Sequence, residues 1–192
     1  MSKELLETIK IEDGHVFNIE WHNRRLNKSR LELFGEKKKL YIQEFLKNIP
    51  QQGLLRSRLI YTQTISSIEY IPYQEKQFST FKVVPSQIEY AYKYNNRKAL
   101  NLLAEKGYDE IIIEKNGLLT DTSIANIAFF NGISWCTPKS PLLEGTTRER
   151  LLNEGFLELK DIKKEDIKKY SHFALMNAMI GFQIQKSINI RL

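Results

Sequence analysis

A chain of 192 residues, 42% hydrophobic and 27% charged, has the balance of an ordinary globular protein with room for one large domain or two small ones. Its formal charge of +6 comes from 29 Lys+Arg against 23 Asp+Glu dispersed along the chain, which favours an anionic small ligand over nucleic acid. The single Cys136 excludes an intramolecular disulfide, and three scattered histidines offer no zinc-ligand spacing. MSKELLETIKI carries no signal-like apolar stretch and no run reaches the ~18 residues of a membrane span, so a cytoplasmic protein with no membrane partner is expected.

From Leu5 to Ile19 apolar residues alternate around Asp13-Gly14, which predicts a β-hairpin. WHNRRLNKSRLELFG then spaces Trp21, Leu26, Leu31 and Phe34 at helical intervals and stops on Gly35. A second helix is predicted over about residues 39–48, closed by Pro50. LLRSRLIYTQT, SSIEYIPY and QFSTFKVVP alternate as strands. NNRKALNLLAEKGYD reads as a helix with Ala99, Leu102 and Leu103 inward and Gly107 at its end. Three strands follow, Glu110 to Glu114, Ile124 to Phe130 and Ile133 to Thr137, separated by the hairpin turns Asn116-Gly117 and Asn131-Gly132. TTRERLLNEGF opens a helix, DIKKEDIKKY a solvated helix or turn, and HFALMNAMIGFQIQ a finishing apolar strand. The pattern is α+β in two halves, 1–85 and 86–192.

Four short segments carry candidate chemistry. Lys93 lies in YAYKYNNR among three tyrosines; it is either a solvated surface lysine or an amine whose apolar surroundings lower its pKa, as imine chemistry requires. Asp121 in TDTSIANIAF is a turn or capping aspartate, or a carboxylate facing a ligand. Gly145, Thr146 and Thr147 in LLEGTTRERLL stand at a helix start, where a plain N-cap and a phosphate site look alike. Asn177, with Ala178, interrupts an apolar stretch and must find partners, so it could pin a loop.

Taken in order, the lysine, then acidic-T-S-x-A-N, then G-T-T-R resembles the class IV aminotransferase family, the fold-type IV pyridoxal-phosphate enzymes. The resemblance spans nearly the whole chain and implies a two-domain fold like that of D-amino-acid aminotransferase. On it, Lys93 corresponds to the lysine that binds the cofactor covalently and serves as catalytic base. Asp121 corresponds to the carboxylate facing the pyridine nitrogen, and Thr146 and Thr147 to the phosphate-binding pair. HNRRLNKSR resembles the helix motif whose arginine grips the same phosphate, which falls on Arg25. Asn177-Ala178 takes the place of a further phosphate contact.

Smaller features point within the family. K-Y-N-N-R is similar to a run common in aminodeoxychorismate lyases, and M-N-A-M resembles their segment on the last core strand. The implied reaction converts 4-amino-4-deoxychorismate to pyruvate and p-aminobenzoate, a folate precursor. The alternatives are a branched-chain or D-amino-acid aminotransferase and a shortened non-catalytic relative. Arg97 and Arg56, with Arg58 two residues along the same strand, are candidate readers of a dicarboxylate substrate. The resemblance also implies a homodimer. Two departures stand out: family members carry Glu where Asp121 stands, and the chain starts close to the first matched strand, so part of the small domain's sheet is expected to be missing or supplied by a neighbour.

Overall fold

The computed structural model describes residues 3–192. They form two compact units, one running to Glu75 and taking in Tyr92–Asn96, the other comprising Lys76–Ala91 and Arg97–Leu192. The first unit thus ends short of residue 85 and reclaims Lys93 from the half to which the sequence pattern assigned it.

In the first unit, β1 (Leu5–Glu12) turns at Asp13 and Gly14, both at positive φ, into the two-residue β2 (His15–Val16). α1 (Ile19–Phe34) ends as predicted on Gly35 at φ 72, whose N–H closes the last turn on the carbonyls of Arg30 and Leu31. The helix predicted over 39–48 is absent, and only one 3-10 turn, Ile42–Glu44, forms there. The reason is competition for backbone groups. The Asn27 side chain accepts from Leu40 N–H and donates to Leu40 C=O, Asn23 Oδ1 accepts from Ile42 N–H, and Arg30 donates to Lys38 C=O. Side chains of α1 thereby take the hydrogen bonds a second helix would need. β3 (Leu54–Tyr61) and β4 (Ile65–Pro72) complete an antiparallel sheet in the order β2-β1-β3-β4. Its core joins Leu5, Ile9, Leu59 and Tyr61 to Leu26 of α1 and to Ile42 and Leu46.

In the second unit β5 (Phe81–Pro85) runs parallel to β6 (Glu110–Lys115). Between them lies α2 (Lys98–Asn101), a single turn rather than the long helix predicted, with Leu100 buried while Ala99 is exposed and Leu102 is 84% exposed. β7 (Leu118–Thr122), β8 (Asn126–Phe130) and β9 (Trp135–Pro138) continue antiparallel, so the stretch predicted as three strands contains a fourth, β7, which carries Asp121. α3 (Thr146–Asn153) crosses over to β10 (Leu157–Lys160), parallel to β9. DIKKEDIKKY forms a 3-10 turn at Lys164–Lys169. The predicted single finishing strand is a hairpin, β11 (His172–Asn177) and β12 (Gly181–Ile184), before β13 (Ile190–Arg191) pairs with β5. The sheet has nine strands and branches at β8, which also pairs with β11. Phe81, Ile112, Ile127, Phe129 and Phe173 centre its core. No helix of the described residues is long and apolar enough to cross a membrane.

Candidate functional site

In the first unit the informative side chains gather around β1. Leu5, Ile9 and Ile11 are fully buried, and so is Glu7, which shares their alternation and therefore points into the core. Its carboxylate is held by α1. Arg25 Nε donates to Oε1 at 2.8 Å and Nη2 to Oε2 at 2.6 Å, while His22 Nδ1 meets Oε2 at 2.6 Å. His22 and Arg25 are three residues apart on the helix and so share a face. Burial pushes the Glu7 carboxyl upward, but the Arg25 charge and the hydrogen bonds from His22 and Arg25 outweigh it and hold it down to about 2. Burial also lowers the pKa of His22, against the pull of Glu7, so the ring is neutral and donates from Nδ1.

Lys93 reaches this unit through its backbone. The outer edge of β1 is open near its start, and residues 92–96 fill it: Leu6 N–H donates to Lys93 C=O at 2.8 Å, Asn95 N–H donates to Glu4 C=O at 2.9 Å, and Tyr94 pairs with Leu5. Arg58 secures the segment by donating to Asn95 Oδ1 at 2.6 Å. Tyr92 and Tyr94 pack on the core, edge to face at 6.1 Å. Lys93 itself is half-buried, and its charge acts on His22. The structure therefore places Lys93 in the same unit as Arg25, and adds Glu7 and His22, which the sequence reading did not name. A glutamate at a core position of an alternating strand was the signal for the first. Arg56 and Arg58 do lie on one face of β3, opposite its buried Leu55, Ser57 and Leu59; Nε of Arg56 is buried with no hydrogen-bond partner among the described residues.

The second unit holds the other candidates. β7 and β8 meet at a single residue pair, Asp121 opposite Asn126, because the Thr122 hydroxyl and the Ala125 backbone close the intervening turn. Asn126 Nδ2 donates to Asp121 Oδ1 at 2.7 Å and to Leu143 C=O at 2.8 Å, and Leu143 N–H donates to Asp121 Oδ2 at 2.9 Å. Burial raises the Asp121 carboxyl to about 6, against the hydrogen bonds of Leu143 and Asn126 and the charge of Arg148. The same asparagine abuts Gly145, where a Cβ would overlap Asn126 Oδ1. Gly145 caps α3 without a side chain, so the buried Thr146 and Thr147 open the helix with their backbone N–H groups directed out of its end, an arrangement suited to an anion. Asn126 was missed in the sequence because its role arises only from strand pairing. Asn177 ends β11, accepts from Met179 and Ile180 N–H, and donates to Ile124 C=O; it pins the turn that contains the half-buried Ala178. Arg97 donates to Ser123 C=O at 2.7 Å, so it and Arg56 fall in different units.

Residues 4–188 match the model of the amino-transferase class IV family. An uncharacterized protein of Haemophilus influenzae is 41% identical over 184 residues, covering 92% of this chain and 98% of its own. A crystal structure from Haemophilus somnus, provisionally named a 4-amino-4-deoxychorismate lyase, superposes with a TM-score of 0.86 at 35% identity, covering 94% of this chain and 98% of that one. A hypothetical aminotransferase from Mycobacterium tuberculosis, solved with α-ketoglutarate and pyridoxamine phosphate bound, shares the fold with a TM-score of 0.80 at 15% identity, covering 99% of this chain and 83% of that one. With the match running through almost every element described above, the chain belongs to the class IV aminotransferase family and has its fold-type IV architecture.

Proposed function

We propose that the protein is a pyridoxal-phosphate enzyme that cleaves 4-amino-4-deoxychorismate to p-aminobenzoate and pyruvate. The observation that carries the cofactor is the character of Asp121. A carboxylate this deeply buried, with its pKa raised to about 6, is short of positive charge, and a protonated ring nitrogen would provide it. Gly145 leaves the start of α3 without a capping side chain, and the helix offers N–H donors there for a phosphate. The residues fit the group. Lys93 would carry it covalently, Asp121 would face its ring nitrogen, and Arg25, Thr146 and Thr147 would hold its phosphate.

Bound pyridoxal phosphate supplies an electron sink for the carbon next to the substrate amine. Lys93 would remove the proton from the amine-bearing carbon of the substrate. Asp121 would favour a protonated ring nitrogen. Loss of the enolpyruvyl group then gives pyruvate, and p-aminobenzoate forms as the ring aromatises. The lyase reading is supported by the 35%-identical Haemophilus somnus relative and by the Asn95-Asn96-Arg97 run after the lysine.

Purified enzyme given 4-amino-4-deoxychorismate should release pyruvate and p-aminobenzoate in equal amounts, and Lys93→Ala should slow release by at least about 10³-fold, the upper range for a positioned acid–base group. Borohydride should fix a pyridoxyl group on Lys93, seen by mass spectrometry. Formation of keto acids from amino acids, with no pyruvate released from aminodeoxychorismate, would favour the aminotransferase and end the lyase reading.

A further inference from the structure

We propose that Glu7 is a positioning residue for cofactor phosphate: gripped by His22, its carboxylate holds the guanidinium of Arg25 in the orientation that receives the anion. The inference rests on the pyridoxal-phosphate reading above.

Core packing does not account for a glutamate at this place. Glu7 stands between Leu5 and Ile9 on the face of β1 that α1 covers, and all three are fully buried. A buried ion pair costs desolvation on both partners and is often no more stable than apolar residues of the same volume. An apolar residue would continue the alternation of β1 but would give Arg25 neither of its two hydrogen bonds to Glu7. What the carboxylate adds is direction. Arg25 is bound side-on, through Nε and Nη2 together, so the plane and the roll of its guanidinium are both set, and Nη1 is turned away from the carboxylate. A single-point contact would leave the long side chain free to rotate.

The burial of the three side chains has an order that matches this role. Glu7 is 0% exposed, His22 1% and Arg25 13%, so the carboxylate is the interior anchor and Arg25 the member that reaches outward. His22 completes the anchor with a second hydrogen bond to Oε2. Its Nε2 is buried without a hydrogen-bond partner among the described residues. That orphan acceptor is a cost the fold bears in order to place Nδ1–H on Glu7. Two groups therefore fix the glutamate, and the glutamate fixes the arginine.

The test separates phosphate recognition from general damage by using pyridoxal, which lacks the phosphate. The full chain, stripped of bound cofactor, is titrated with pyridoxal phosphate and with pyridoxal, with binding read from visible absorbance and attachment to Lys93 checked by reduction and mass spectrometry. Glu7→Gln keeps the shape and removes the charge. It should raise the Kd for pyridoxal phosphate by about 10- to 100-fold, the scale on which loss of an orienting partner weakens a ligand-binding group, and that for pyridoxal by less than about threefold. Glu7→Asp, which retains the charge but withdraws it from Arg25, should show the same contrast at reduced size and serves if the Gln variant does not fold. Unchanged affinity for pyridoxal phosphate in a folded variant, or equal loss for both ligands, overturns the proposal while leaving the cofactor reading intact. Wild-type protein that binds neither ligand overturns both.

Discussion

Glu7 and Asp121 are both buried carboxylates, yet burial has opposite net outcomes for them. Glu7 has two partners that compensate it, and its pKa falls to about 2; Asp121 has neutral donors in contact and its pKa rises to about 6. The signs differ accordingly. Glu7 contributes stability that is present above its unfolded value near 4.5 and lost as pH falls toward 2, whereas Asp121 contributes stability that is full below 3.8 and lost as pH rises through 6. Asp121→Asn removes the second contribution. Thermal melts of cofactor-free protein should show the variant gaining on wild type between pH 4 and 7 by up to roughly 3 kcal/mol, the free-energy equivalent of the Asp121 shift. Parallel pH curves for the two proteins would show that Asp121 does not titrate as described. At this scale the sequence disclosed side chains whose chemistry stands out against their surroundings, such as Lys93 among tyrosines. It marked Glu7 only as a glutamate at a core position of an alternating strand and gave no sign of Asn126, because an ionisable or amide side chain declares its role only once its partners, 15 to 18 residues from Glu7 and five from Asn126, are brought against it.

Among the elements, those that specify themselves locally were readable. α1 carries its own period and its own stop, and the β1–β2 turn its own Asp13-Gly14. The helix expected after α1 failed because Asn23, Asn27 and Arg30 capture the backbone of 38–42, a tertiary decision that propensity does not record. The start of α3 shows the same dependence in a place that matters for function. Gly145 is required by Asn126, and Asn126 cannot step aside because Asp121 and Leu143 both hold it. Gly145→Ala should therefore destabilise the protein by about 1–3 kcal/mol in a denaturant titration, as overpacking against a fixed neighbour does, and should weaken pyridoxal-phosphate binding as well. A variant as stable as wild type would mean that Asn126 can relocate at little cost.

At the scale of the molecule, the parallel pairing of β5 with β6 has a consequence for the candidate site. Parallel strands need a crossover of a dozen or more residues, and residues 86–109 form it. That connection contains little helix, and within it Tyr92–Asn96 extends the sheet of the first unit along β1. If the pairing is as described, the Leu6 and Asn95 amides should resist hydrogen exchange with the protection of the β1–β3 ladder, and exchange at loop rates would refute it. The sequence by itself determined which residue types were available for chemistry, the family they resemble, and the elements whose period and punctuation lie within a dozen residues. Tertiary structure alone decided that Lys93 adds to the first unit's sheet, that Glu7 faces α1, and that Asp121, Asn126 and Gly145 interlock. These outcomes depend on strand pairing and on competition for buried hydrogen bonds between residues far apart in the chain, and no local pattern encodes them.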